Sequence, residues 1–186
     1  MSTNFTNLPE DEIQIWHSLY RAIGGATDFQ SALAVALCRV CETAGWEYGE
    51  AWILFEKRTI LELSPAWYQN LCGDKAHLLA LEQFRLCSEG FIFPPGVGLP
   101  GRVWSSQQPE WICDASAQSE NFFLRNQTAK AFGIRAGFGV PVIAEQQVRA
   151  VLVFFTFQDR QEDQQLIELA KVAAMQLGLF LVNGPY

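Results

Sequence analysis

Positive charge is scarce in this chain: thirteen Lys and Arg stand against twenty Asp and Glu, for a formal net charge of −7 over 186 residues. Binding to a phosphate backbone needs clustered basic side chains, so the balance argues against nucleic acid as a partner. No apolar run reaches the roughly 18 residues a membrane span requires, which argues against a membrane segment. The N-terminus, MSTNFTNLPEDEIQIW, lacks a basic region followed by an apolar one, so it does not read as a signal peptide. Cysteine is limited to five residues, an odd number with no regular framework. Reduced thiols in the cytoplasm are the simplest reading. Histidine is scarcer still. His17 and His77 are the only two, and neither has a cysteine beside it in sequence, so nothing local points to a Cys-His nucleophile. No internal repeat or low-complexity segment is visible.

What the chain has in quantity is apolar surface. Hydrophobic residues make up 49% of the sequence and charged residues 18%, below the usual ~25% charged, which excludes disorder. A chain of this length is expected to fold as one domain and to bury roughly 70% of its unfolded surface, with no need of metal or disulfide support. Six tryptophans and fourteen phenylalanines supply both core and the apolar lining that small-ligand pockets use.

Periodicity orders the elements. A polar tail ends at Pro9. Ile13, Trp16, Leu19 or Tyr20, and Ile23 then recur at helical spacing up to Gly24-Gly25. Thr27-Asp28-Phe29-Gln30 has the form of a capping box, and Phe29, Leu33, Leu37, Val40 and Ala44 follow on one face before Gly45. Residues Trp46 to Phe55 and Ile60 to Trp67 read as a hairpin across Glu56-Lys57-Arg58-Thr59. A helix is expected over Asp74 to Ser88 and a strand over Phe91 to Phe93. A short helix follows over Val103 to Gln107, a strand over Glu110 to Cys113 and a helix over Asn121 to Phe132. Gly137 to Ile143 and Val148 to Phe157 form a second hairpin across Ala144-Glu145-Gln146-Gln147. A last helix begins near Asp159 to Asp163. This order predicts an α+β layer fold, an antiparallel sheet with helices packed on it and the terminal helices on one face.

Local chemistry is thin. Cys38-Arg39-Val40-Cys41 is a C-x-x-C, but it falls in the second half of a helix, away from the positive helix end that activates a thiol. No second pair completes a zinc site, so packing is the expected role. The turn from Pro94 to Gly101 packs three prolines and three glycines between a strand and a helix. It fits neither a P-loop nor a GxGxxG fingerprint, so its glycines are read as backbone geometry, stiffened by Pro94, Pro95 and Pro100. Arg125, after Phe122-Phe123-Leu124, is the polar residue that stands out.

Several segments together resemble a GAF domain: GEAWIL at Gly49 to Leu54, LELSPAWY at Leu61 to Tyr68, and FPPGVGLPGRVWSSQQPEWI at Phe93 to Ile112. FGIRAGFGVPVI at Phe132 to Ile143 and VLVFF at Val151 to Phe155 complete the pattern. The likeness is to the GAF sensor domains of bacterial, cyanobacterial-type, multidomain sensor histidine kinases and cyclic-dinucleotide enzymes. It divides the chain into a tail and helix over 1–21, a GAF domain over 22–182 and a tail over 183–186.

The resemblance implies a central antiparallel β-sheet with the N- and C-terminal helices on one face and a small-molecule pocket on the other. It also implies dimerisation through those helices and signalling to a histidine kinase or another output module. Matching positions make Trp52, Trp67, Phe93, Trp104, Trp111, Phe122, Arg125 and Phe138 the candidate ligand contacts. Bilin-binding relatives carry a Cys, often followed by His, in the helix matching Asn121 to Phe132. NFFLRNQTAKAF has neither, which argues against a covalent bilin and leaves a non-covalent one open; the cofactor is unassigned. A cyclic-nucleotide signature cannot be placed. Neither histidine has the acidic neighbour of a phosphorylated kinase histidine, so the chain is not itself the kinase.

Three readings follow from this. One is a non-enzymatic sensory domain that binds a small ligand. Another is a thiol-dependent enzyme similar to free methionine sulfoxide reductases, although Pro100 occupies a position matching one of their cysteines. The last is a ligand-free dimerisation module whose pocket is filled by its own aromatics. The first is the expectation.

Overall fold

A computed structural model of the chain describes residues 10–55 and 59–183, with the side chains of the first helix described from residue 14 onward. The expected tail over 1–9 and most of the first hairpin link lie outside the described residues. Among those described, helices α1 (Glu10–Gly24) and α2 (Phe29–Ala44) lead into strands β1 (Tyr48–Phe55) and β2 (Ile60–Gln69). Then come α3 (Lys75–Ser88), β3 (Ile92–Phe93), α4 (Gly98–Ser106), β4 (Glu110–Ile112) and α5 (Asn126–Phe132). Strands β5 (Ala136–Ala144) and β6 (Gln147–Thr156) precede the closing helix α6 (Gln164–Asn183).

The six strands form one antiparallel sheet in the order β3-β2-β1-β6-β5-β4. The expected α+β architecture is what the chain adopts. Pairing β1 with β6 sets Tyr48 opposite Phe155, Glu50 opposite Val153 and Trp52 opposite Val151, so these six share one face. The register of β1 on β2 shifts between Glu50 and Trp52. Pro65 lies in β2 at that shift, where a missing N–H breaks no ladder bond. The freed Ser64 makes other contacts. Its hydroxyl donates to Gln30 and accepts from the Ala66 amide, and its carbonyl accepts from Arg85.

Two cores result, one on each face. Leu33, Leu37 and Val40 of α2, with Ala170, Ala173 and Leu177 of α6, pack with Ala51, Phe138, Leu152 and Phe154. Opposite them, α3, α4 and the region before α5 cover Tyr48, Trp52, Leu61, Val151, Val153 and Phe155. The terminal helices do lie together, with α1, α2 and α6 packed on one another.

Several boundaries differ from the periodicity reading, each for a local reason. The cap of α2 is Asp28, whose carboxylate accepts from the Ser31 amide at 2.8 Å, in place of Thr27. Helix α4 starts at Gly98 and not at Val103, because Pro100 sits in the first turn, where its missing N–H costs nothing. Helix α5 starts five residues late, at Asn126, leaving Asn121 to Arg125 as irregular chain. The β5–β6 connection is a two-residue turn with Glu145 and Gln146 both at positive φ, 51° and 64°, the hand that matches strand twist. Helix α6 starts at Gln164, with Asp163 accepting from the Gln165 amide at 2.9 Å.

One expectation is corrected: α6, at 20 residues and mean hydropathy 1.5, is long and apolar enough to cross a membrane. Its apolar content has a visible use, since Ile167, Leu169, Ala170, Ala173, Ala174, Leu177 and Gly178 are buried in the protein.

Between β3 and α4 the glycine-proline turn closes tightly. Gly96 donates to the Gly101 carbonyl at 2.7 Å, and Gly101 donates back to Val97 at 3.2 Å. A Cβ on Gly101 would stand 2.2 Å from the Pro94 carbonyl oxygen. Gly98, at φ +62°, leaves room for the Phe93 ring, 2.6 Å from where a Cβ would be.

Candidate functional site

Glu50 is the one acid in the apolar run Tyr48–Phe55, and strand alternation turns it to the α3–α5 side with Tyr48 and Trp52. Its carboxylate is completely buried. Both oxygens are held from within β1: the Trp52 indole N–H donates to Oε1 at 2.8 Å, and the Tyr48 hydroxyl donates to Oε2 at 3.0 Å. Burial, followed by the charge of Glu50, pushes the Tyr48 phenol well above its ordinary value. Tyr48 therefore stays protonated and acts as a donor.

The cation that answers Glu50 comes from the far end of the fold. After β4 the chain runs irregularly to α5, fixed by side chains at both ends. Asp114 accepts from the Ser116 hydroxyl at 2.6 Å and pairs with Arg135 at 2.8 Å. Burial would raise the Asp114 carboxyl, but the Ser116 hydroxyl, the Ala117 amide and Arg135 together hold it below the usual aspartate value. The Asn126 side-chain amide donates to the carbonyls of Ser116 and Gln118, at 2.8 and 2.5 Å. Arg125, the residue capping α5 without a side-chain cap bond, then points inward.

Its Nη2 donates to Glu50 Oε1 at 2.6 Å, with both side chains at 0% exposure. Nη1 donates to the Ser88 hydroxyl at 2.8 Å, and that hydroxyl donates to the Phe84 carbonyl. Five rings surround the guanidinium carbon: Phe84 at 5.0 Å, Phe155 at 5.1, Trp52 at 5.2, Phe93 at 5.8 and Phe123 at 5.9. Such distances are those of cation–π contact. Arg125 Nε is buried with no acceptor.

A second guanidinium lies at the edge of this cluster. Arg85 of α3 donates through Nη2 to the Ser64 carbonyl at 2.5 Å and stands 5.9 Å from the Trp67 ring, while its Nη1 is buried without a partner.

The candidate contacts divide by face. Trp52, Phe93 and Arg125 converge, with Trp52 and Phe93 edge-to-face at 4.6 Å. Trp67 lies opposite Glu50 in the β1–β2 register and 6.0 Å from the Tyr48 ring, 37% exposed. Trp104 packs on the outside of the same core. Phe122 faces outward at 41% exposure, under the Arg102 guanidinium at 3.9 Å. Phe138 and Trp111 pack with Trp46 on the helix face of the sheet, at 6.3 and 5.3 Å from its ring.

Sequence reasoning did not single out Glu50, Tyr48, Ser88 or the rings of Phe84, Phe123 and Phe155. The available signal was a lone carboxylate inside a strand apolar enough to be buried on both faces.

The two α2 thiols are not activated. Cys41 is buried and pushed well above its ordinary value by that burial, then by Cys38; Cys38 is raised by burial and then by Glu42. A reactive thiol needs the opposite shift. Cys87 is exposed on α3, and Cys113 contacts Gln161 at 3.8 Å. Among the described residues no group of three or more His, Cys, Asp and Glu side chains could hold a metal ion.

Comparison with known proteins agrees with this fold. A family model described as "GAF domain" matches residues 26–182. Among curated proteins, the chain is 29% identical over 105 residues to the Arabidopsis thaliana transcription factor EGL1, covering 56% of this chain and 16% of that protein. It is 37% identical over 62 residues to basic helix-loop-helix protein A of Pisum sativum, covering 33% of this chain and 10% of that protein. The chain thus spans under a fifth of these relatives, and they are plant regulators where sensor histidine kinases were expected.

Among solved structures, the GAF domain of an Acinetobacter phosphoenolpyruvate-protein phosphotransferase superposes with a TM-score of 0.70 at 15% identity, covering 94% of this chain and 95% of that one. Free methionine-R-sulfoxide reductase from Neisseria meningitidis, in complex with its substrate, superposes with a TM-score of 0.64 at 18% identity, covering 95% of each. At these identities the likeness is one of fold.

Proposed function

The chain belongs to the GAF domain family, and on that premise we propose that it is a non-enzymatic regulatory domain whose site under α3 and α5 is closed by Arg125 in the described conformation. The single observation that carries this reading is the fully buried Glu50–Arg125 pair. Well-packed apolar side chains of similar volume hold a core together as well as a buried ion pair or better. A charge pair on the face where the resemblance implies a small-molecule pocket supports a role in use over one in stability.

In this reading a small ligand enters when Arg125 leaves, and the change passes through the sheet to the helix face. The route is short, because β1 and β6 carry site residues on one face and α2- and α6-packing residues on the other. Helices α1 and α6 would then engage a second copy or an output module in the cytoplasm. Half-exposed Met175, Leu179 and Val182 on α6 and Tyr20 on α1 offer the apolar contacts. A ligand shifts such an equilibrium only by binding the two states differently.

The reductase reading would rest on Cys87 or Cys113, and neither joins the Glu50 cluster. A second reading, a ligand-free interaction module, is favoured by one observation: the interior at Trp52 and Arg125 is filled by the chain's own side chains.

Hydrogen exchange of the full chain, with a thermal-shift screen of metabolites, separates the two. The sensor reading expects at least one compound to raise the melting temperature and to change exchange in both residues 121–132 and α6. If every compound leaves both unchanged, the ligand-free module is the correct description.

A further inference from the structure

The same buried cluster also indicates which ligand chemistry it fits, an inference that rests on the site being the regulatory one. Glu50 has ties besides the one to Arg125. Its oxygens are held by Trp52 and Tyr48, neighbours on its own strand. Four of the five surrounding rings, Trp52, Phe84, Phe93 and Phe155, likewise belong to the sheet and α3. Remove the Arg125 side chain, and a carboxylate framed by aromatic faces stays behind. Ring faces are negative and attract cations, so an anion is disfavoured twice over.

Arg125 is an imperfect occupant of that frame. Its Nη atoms are matched by Glu50 and Ser88, yet its Nε–H is buried with no acceptor. It is delivered by irregular chain in which Phe122 and Leu124 are each 41% exposed, and only Phe123 and Arg125 of residues 121–125 are buried, so lifting the segment unseats one ring and no helix. The fork of two Nη donors, matched to a carboxylate and a hydroxyl, is specific to a planar delocalised cation.

We propose that this cage is a binding site for a small organic cation of the guanidinium or amidinium type, and that Arg125 is its built-in occupant. A free cation of this class takes the place of the Arg125 side chain and releases Asn121 to Arg125 from the closed form.

The test uses the full chain and methylguanidinium at millimolar concentration, with urea as the neutral planar control. Arg125→Ala is expected to melt below the wild type and to regain melting temperature saturably with methylguanidinium. Urea should restore nothing, and the double variant Glu50→Gln/Arg125→Ala should not respond. No saturable rise, or an equal rise in the double variant, overturns the assignment. If Arg125→Ala does not fold alone, recovery of folded protein on refolding with methylguanidinium against urea gives the same readout, and equal recovery overturns it.

In the wild type, methylguanidinium should speed exchange in residues 121–132; protection unchanged at saturation of the variant overturns the displacement. Failure of the underlying reading looks different. There the variant binds the cation, but α6 exchange in the wild type never responds to any occupant. Conversely, a wild-type response to other metabolites with no methylguanidinium binding in Arg125→Ala keeps the sensor and sinks the cation site.

Discussion

On the helix face of the sheet, Ala51, Leu152 and Phe154 cluster with Leu33, Leu37 and Leu177, and apart from the Cys41 thiol the cluster's buried side chains are aliphatic or aromatic. On the opposite face the same strands β1 and β6 present Tyr48, Glu50, Trp52, Val153 and Phe155, and the cluster is built around an ion pair at 0% exposure. Both faces are buried, and the strands between them are shared. The difference is what each would lose by simplification. An apolar core replaced by another apolar core stays a core. The Glu50–Arg125 cluster, made apolar, would still pack but would no longer have a group to exchange. On the proposed reading, one face serves stability and the other retains a charge pair for use, which the substitutions below test.

Substitutions can sharpen or break that contrast. The largest effect is expected for Arg125→Ala, which strands Glu50 in a dry interior at a cost of about 3–5 kcal/mol, read by urea denaturation. A cost near zero would mean the pair is hydrated and the site open. On the helix face, Leu37→Ala should cost roughly 2–5 kcal/mol from lost burial and the cavity left, and its effect should not change with added methylguanidinium.

Tyr48→Phe keeps the ring and removes one donor from Glu50, for about 1.5–3 kcal/mol; a neutral outcome would show Glu50 held by Trp52 and Arg125 alone. Acid should weaken the segment that carries Arg125. Asp114 has a lowered value in the folded chain, so its contribution is complete above the ordinary 3.8 and is lost as pH falls through the lowered value. Melting curves of wild type and Asp114→Asn should therefore converge at low pH and diverge above it. The smallest effect belongs to the exposed Lys171–Glu168 pair on α6, 3.0 Å apart, where Lys171→Ala should move stability by no more than about 0.5 kcal/mol.

The two faces also differed in how far the sequence disclosed them. Helix spacing at Leu33, Leu37 and Val40, the stop at Gly45, and both hairpins were legible because burial repeats at a fixed period along the chain. Phe93 and Trp52 were legible as family positions, and Arg125 as a charge after an apolar run. Glu50 and Ser88 were not, because their roles are set by partners 75 and 37 residues away, a separation that no local pattern encodes. Phe138 and Trp111 share the strand propensity of the site aromatics. Which face each points to depends on register, and a one-residue phase reverses it. The late start of α5 follows the same logic: Asn121 to Arg125 suits a helix by composition, but Asn126 spends its amide on the Ser116 and Gln118 carbonyls and holds the preceding chain irregular.

The most direct measurement is the unfolding free energy of Glu50→Leu/Arg125→Met, which turns the site face into an apolar core like its opposite. If the pair is kept for exchange with a ligand, this variant should be as stable as the wild type or up to about 4 kcal/mol more stable, with no response to methylguanidinium. A loss approaching that of Arg125→Ala alone would contradict the account and make the ion pair a structural element of the fold.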